Sequence, residues 1–175
     1  MNPLDIFMVI VWAYFLAMGL LRGILREAAA IVGVFAGFYA GFGYYAKLSE
    51  YLTKWLSDPG YINILSFLII FCCVYVLLSA LGIVVRYLLK IVPFGWLDRA
   101  LGGTLGMIKG ILMVSALLLA LTAFLKNNTP LIRNSRLAPH VSLISEQMAE
   151  FVSKDTKRRY ETKVRILKKS WKAKS

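Results

Sequence analysis

Four long apolar runs, separated by short polar or glycine-containing breaks, order the first 125 residues of the chain. The first covers residues 4–22 and reaches bilayer-crossing length once Arg22 snorkels toward the headgroups. The stretch Arg22-Gly23-Ile24-Leu25-Arg26-Glu27 interrupts the pattern before a second run over 27–46. A single straight helix through both would be about twice the bilayer thickness at 1.5 Å per residue, so the chain must turn near Gly23. Runs three and four cover 61–89 and 101–125, joined by Pro93-Phe94-Gly95-Trp96, a turn with an interfacial aromatic. The pattern predicts an all-α membrane protein, a bundle of four transmembrane helices built from residues 1–126.

Between runs two and three, Leu48, Tyr51, Leu52, Trp55 and Leu56 share one helical face. That spacing predicts a short amphipathic helix over Lys47 to Asp58, either in the membrane interface or against the protein itself. After the fourth run comes a polar connector, residues 127–153, containing a surface helix in which Val141, Ile144, Met148 and Phe151 align. Residues 154–175 form a basic tail with Tyr160, Val164, Leu167 and Trp171 on one stripe. Two readings fit the tail: a cationic interfacial helix, or a disordered basic segment.

Composition strengthens the membrane assignment. The 175 residues are 59% hydrophobic and 17% charged, with a mean hydropathy of +0.67, more apolar than a soluble domain requires. The net charge of +12 belongs mostly to the end of the chain, where residues 126–175 hold 13 Lys or Arg against 4 acids. With only Tyr160 and Trp171 interleaved among its cations, the tail suits anionic lipid headgroups, and nucleic acid is not expected as a partner. The expected partners are therefore the lipid bilayer and its anionic headgroups. Cys72 and Cys73, adjacent inside an apolar run, act as small apolar residues. No Lys or Arg precedes the first run, whose first charge is Asp5, the reverse of a signal peptide, so the run is read as a retained span.

The stretch LDRALGGTLGMIKG opens the fourth run and carries the most informative residues. Gly102, Gly106 and Gly110 recur at intervals of four, as do Gly33, Gly37 and Gly41 in the second run. Each triplet clears a groove that lets another backbone approach, so spans two and four are expected to pack through their glycines. Whether the grooves face each other, a second copy or a partner membrane protein is open at this level. Asp98 is placed to cap the fourth helix, with Arg99 at headgroup level. Lys109 lies about 12 Å into the run, where an ionised side chain costs about 2.5–3.5 kcal/mol unless it finds water or a partner. Glu27, at the head of span two, is the candidate partner, with plain snorkelling as the alternative; Arg22 and Arg26 complete the charged candidates.

The inventory argues against enzymatic chemistry. His140 is the single histidine and lies in the connector, so neither a two-histidine zinc helix nor a Ser-His pair within the membrane can be assembled. Asp5 and Asp98 should lie at opposite membrane faces, and no glycine loop with GK[ST] is present. No catalytic residue, cofactor or metal is expected.

Asn2 to Asp5, Arg22-Gly23 with Arg26-Glu27, Leu97-Asp98-Arg99 leading into Gly102, Gly106 and Lys109-Gly110, and Ser135-Arg136-Leu137-Ala138-Pro139 together form a recognisable pattern. Over residues 1–140 the chain resembles the colicin V production protein (CvpA) family of bacterial inner-membrane proteins. The resemblance implies a multi-pass protein of the inner membrane, needed for production or export of a peptide toxin and for envelope function. Two mechanisms remain open: a non-enzymatic assembly or accessory factor, or a small oligomeric transporter or channel with Lys109 and the arginines along an anionic route. A charge count near the span ends is balanced, but Asp5 before span one and two arginines after it predict an N-terminus outside; with four full spans the tail is outside as well, and with one re-entrant span it returns inside.

Overall fold

The computed structural model describes residues 2–54, 58–88, 95–125, 130–152 and 154–172, which are helical with no strand among them. In chain order the helices are α1 (Pro3–Arg22), α2 (Ile24–Leu52), α3 (Pro59–Leu88), α4 (Trp96–Phe124), α5 (Pro130–Arg133), α6 (Ala138–Met148) with a 3₁₀ turn at Ala149–Phe151, and α7 (Lys154–Lys172). The first four are long and apolar enough to cross a membrane.

One residue separates α1 from α2. Gly23 adopts φ +79°, a conformation that strains any residue with a Cβ, and this is what folds the chain back where the sequence requires a turn. α2 then runs unbroken to Leu52, so Lys47–Leu52 form its last turns and not a separate helix. Thr53 ends it by donating its N–H to the Ser49 carbonyl at 3.0 Å; Trp55 and Leu56, which were to complete the expected face, lie outside the described residues.

Residue neighbours give the directions. Gly19 meets Gly102 and Trp12 meets Gly110, so α1 and α4 are antiparallel; Gly33 meets Tyr75 and Gly41 meets Phe67, so α2 and α3 are antiparallel. The bundle therefore has one end holding both the chain start and the segments after α4, and another holding the Gly23 turn and the start of α4. Between them α2, α3 and α4 enclose an aromatic core of Phe38, Phe42, Phe67, Phe71 and Phe124, packed around Val34, Leu119 and Ala120. Ring centroids of Phe42 lie 4.9 Å from Phe38 and 4.5 Å from Phe67, in the range of favourable aromatic contacts. α3 is peripheral: Val76, Leu77, Leu81 and Val84 are at least half exposed, a surface suited to acyl chains.

The two glycine triplets serve different neighbours, which changes the pairing expected from sequence. A Cβ at Gly106 would overlap the Phe15 backbone oxygen, and one at Gly110 would stand 2.7 Å from the Trp12 ring, so the α4 groove receives α1. A Cβ at Gly37 would stand 2.9 Å from the Phe71 carbonyl oxygen, and one at Gly41 2.8 Å from the Phe67 ring, so the α2 groove receives α3. α2 and α4 instead meet through larger side chains, Phe42 stacking on Phe124 at 5.7 Å. Without a hydrophobic driving force between helices in lipid, these close backbone approaches supply the dispersion contacts that hold the pairs together.

The tail is neither detached nor laid on lipid by its apolar stripe. Tyr160, Val164, Leu167 and Trp171 are buried against the protein, the first two joining the aromatic core and the last two a second cluster with Leu4, Met8, Val114 and Leu118. The periodicity identified the face, and α4, α6 and the start of α1 supply the apolar surface that covers it.

Candidate functional site

The charged candidates gather at the Gly23 end and extend inward along α4. Lys109 comes thirteen positions after Trp96, so it lies about 20 Å along α4, close to the middle of the helix. Its side chain is completely buried and forms an ion pair with Glu27, itself completely buried in the first turn of α2. Helical side chains lean toward their own N-terminus, and α4 points its N-terminus at the Gly23 end, so the long lysine reaches back along the helix to the glutamate. Of the two alternatives open at the level of sequence, the geometry is that of pairing: the ammonium ends on a buried carboxylate and does not reach the headgroups. The Lys109 ammonium also lies 4.6 Å from the centre of the Phe15 ring, a cation–π contact from α1. Three helices thus converge on one charge.

Only one glutamate oxygen is used. Oε2 accepts from Lys109, while Oε1 is buried with no hydrogen-bond partner among the described residues. Leaving such an acceptor dry costs on the order of 1–3 kcal/mol or more for a charged group, so a bridging water would be well accommodated at this oxygen.

Asp98 has a different role from the one the sequence suggested. It lies in the first turn of α4, but its Oδ1 accepts the backbone N–H of Ile24 at 2.9 Å, capping α2 across the helix interface; Gly95 precedes α4 and offers no side-chain cap. The carboxylate sits against Gly23, where any Cβ would overlap it. Arg22 and Arg99 flank this cap around an open pocket. Arg26 is half-buried next to Glu27 in the chain, and its Nε has no hydrogen-bond partner among the described residues.

At the opposite end Asp5 is buried and acts as a second knot. It accepts from the Ser135 hydroxyl at 2.5 Å and from the backbone N–H groups of Arg136 and Leu137, each at 3.1 Å, while Ser135 Oγ accepts the Ala138 N–H at 2.9 Å at the start of α6. Lys163 of α7 donates to the carbonyls of Ala123 and Leu125 at 3.0 and 2.6 Å, placing a cation on the C-terminus of α4, where the helix dipole favours it. Burial lowers the Lys163 pKa, and neighbouring Arg159 adds to the shift.

Sequence reading gave no role to Gly19, Phe15 or Lys163, and it placed Ser135 in the family pattern without joining it to Asp5. Gly19 had a signal, since Gly19 and Gly23 repeat the four-residue interval of the other grooves. Phe15 and Lys163 carry none: an isolated Phe or Lys acquires its role from what lies across the fold, and the partner of Ser135 is set in the same way. Among the described residues no group of three His, Cys, Asp or Glu could hold a metal ion.

With charge pair, caps and grooves in place, comparison with known proteins adds the lineage. A sequence model described as Colicin V production protein matches residues 4–146, most of the chain. The chain belongs to the colicin V production protein family. It is 28% identical over 145 residues to a colicin V production protein homolog of Haemophilus influenzae, covering 82% of this chain and 88% of that one. It is 27% identical over 121 residues to the colicin V production protein of Escherichia coli, covering 69% and 74% of the two chains. No solved structure matches the chain. The family match spans α1 to α6 and includes both the Lys109–Glu27 pair and the Asp5–Ser135 knot; α7 lies beyond it.

Proposed function

We propose that the chain is a non-enzymatic accessory factor of the bacterial inner membrane, acting in production or export of a colicin V-type peptide toxin. Its membrane partners are the bilayer and another membrane protein or a second copy of itself. The observation that carries this reading is the mutual neutralisation of the intramembrane charges. Lys109 and Glu27 are each fully buried and joined to one another, so they clasp α2 to α4 instead of lining an open aqueous route. Large apolar residues fill the level beyond, with Val34, Phe38, Leu118 and Leu119 at 0–2% exposure. The family name supports the toxin connection.

The bare Oε1 of Glu27 favours a second reading, an oligomeric transporter or channel that moves a proton or small solute past the pair. Liposomes containing the purified chain alone separate the two: an accessory factor gives no flux of protons, ions or labelled solutes above that of empty vesicles. Flux that disappears in Glu27→Gln would replace the accessory reading with the transport one. Restoring toxin secretion in a producer strain that lacks its own family member tests the toxin connection.

A further inference from the structure

At the Gly23 end, the last turn of α1 and the first turn of α4 enclose a pocket of about 590 Å³ lined chiefly by Leu20, Leu21, Arg22, Trp96, Asp98 and Arg99. Its lining is divided by chemistry. Leu21 and Trp96 are 78% and 79% exposed, and the charged residues of the lining are Arg22, Arg99 and Asp98, a surplus of one positive charge. That carboxylate is 8% exposed and already held by the N–H of Ile24, at the positive end of the α2 dipole.

We propose that this pocket binds the phosphodiester headgroup of an anionic glycerophospholipid drawn from the surrounding membrane. Arginine forks match phosphate oxygens in geometry and charge, and two of them arranged around one cavity select an anionic headgroup over a zwitterionic one. The pocket lies where two spans end, and an exposed Trp at such a level sits naturally among headgroups. Leu20 and Leu21 continue from it along the outer face of α1, where the acyl chains of a lipid would run. The volume falls in the range of small-molecule sites and suits a headgroup with its glycerol, leaving the chains in the bilayer. The site is independent of the basic tail, because α7 docks at the far end of α4, about 40 Å away along a 29-residue helix. It is also independent of whether the chain is an accessory factor or a transporter.

The test uses the full chain in uncharged detergent, titrated with phosphatidylglycerol, phosphatidylcholine or soluble glycerol phosphate and read by native mass spectrometry. One phosphatidylglycerol should be retained in preference to phosphatidylcholine. Arg99→Gln and Ala100→Glu, both at exposed positions, should each weaken retention about fivefold or more, on the order expected for one cation at a membrane surface. The paired tail variant Arg158→Gln with Arg159→Gln should leave it unchanged. Circular dichroism checks folding, and Ala100→Glu decides if Arg99→Gln does not fold. Equal retention of phosphatidylcholine, loss in the tail variant alone, or unchanged retention in the pocket variants overturns the proposal. Glycerol phosphate binding as tightly as the lipid would overturn it too, by assigning the pocket to a soluble phosphate ester.

Discussion

Asp98 and Ile24, 74 positions apart, are joined by a 2.9 Å hydrogen bond that ties the start of α4 to the start of α2. Gly23 makes the bond possible, by turning the chain and by leaving room for the carboxylate. Asp98→Ala should cost about 0.5–2 kcal/mol, the usual loss for a helix cap. Gly23→Ala should cost more, because it combines a strained φ with a steric overlap. Thermal unfolding in detergent, followed by circular dichroism, should rank Gly23→Ala below Asp98→Ala; the reverse order would contradict the geometry.

Removing one member of the buried ion pair should be more damaging than removing both. Lys109→Met leaves the Glu27 carboxylate uncompensated, a loss of about 3–5 kcal/mol on the scale of broken buried pairs. Lys109→Met combined with Glu27→Leu removes both charges, and stability should return close to that of the native chain. If the clasp also supports toxin export through its shape alone, the double variant should secrete normally. A stable but secretion-defective double variant would show that the charges themselves are needed.

The two glycine grooves should fail separately. Gly106→Leu displaces α1 from α4, and Gly37→Leu displaces α2 from α3, since each new side chain enters space held by a neighbouring backbone. Cysteines at Trp12 and Met107, residues whose side chain and carbonyl are hydrogen-bonded across α1 and α4 at 3.3 Å, should be bridged by a short bifunctional maleimide in Gly37→Leu but not in Gly106→Leu. Cross-linking in both would refute the assignment of grooves to helix pairs.

Tyr160 is fully buried, and burial raises its phenol pKa well above the ordinary value of 10.0. A raised folded-state pKa contributes stability that is fully present below pH 10 and is lost as the solution becomes more alkaline. Ionisation absorbance should therefore contain a component that titrates only together with unfolding, and that component should shrink by one tyrosine in Tyr160→Phe. Tyr160→Ala should cost about 3–5 kcal/mol through the cavity it leaves.

Membrane orientation follows from accessibility. With Cys72 and Cys73 replaced by Ala, single cysteines at Glu161 in α7 and Ala100 in α4, both exposed, should report opposite sides. The sequence expectation of outward termini requires labelling from the periplasmic side at residue 161 alone. Labelling at residue 100 alone inverts the topology.

The spans and the stripes were legible in sequence because they rest on length and local periodicity, which the 1.5 Å rise and the 3.6-residue turn make almost context-free. Lys109 stood out because its cost in a membrane is large, and Glu27 because few acids could meet it. Which helix each glycine groove receives was not legible: Gly37 and Gly106 present the same bare surface, and partner choice depends on the chain path in three dimensions. Asp98 shows the same ambiguity, since a carboxylate near two helix starts can cap either. The tail stripe was recognised as apolar, but its cover depended on surface left open by α1, α4 and α6.

The distance in sequence between the two members of the ion pair has a consequence for how the protein is made. Glu27 enters the membrane 82 residues before Lys109 is polymerised, an interval of about 4–16 s at ordinary synthesis rates. During that interval the carboxylate has no cation to meet it in the hydrocarbon and is best held at the lipid–water boundary by tilting of its helix. Arrival of the lysine then ends the wait, so the nascent chain is committed to its final arrangement only when the fourth span emerges from the translocation machinery.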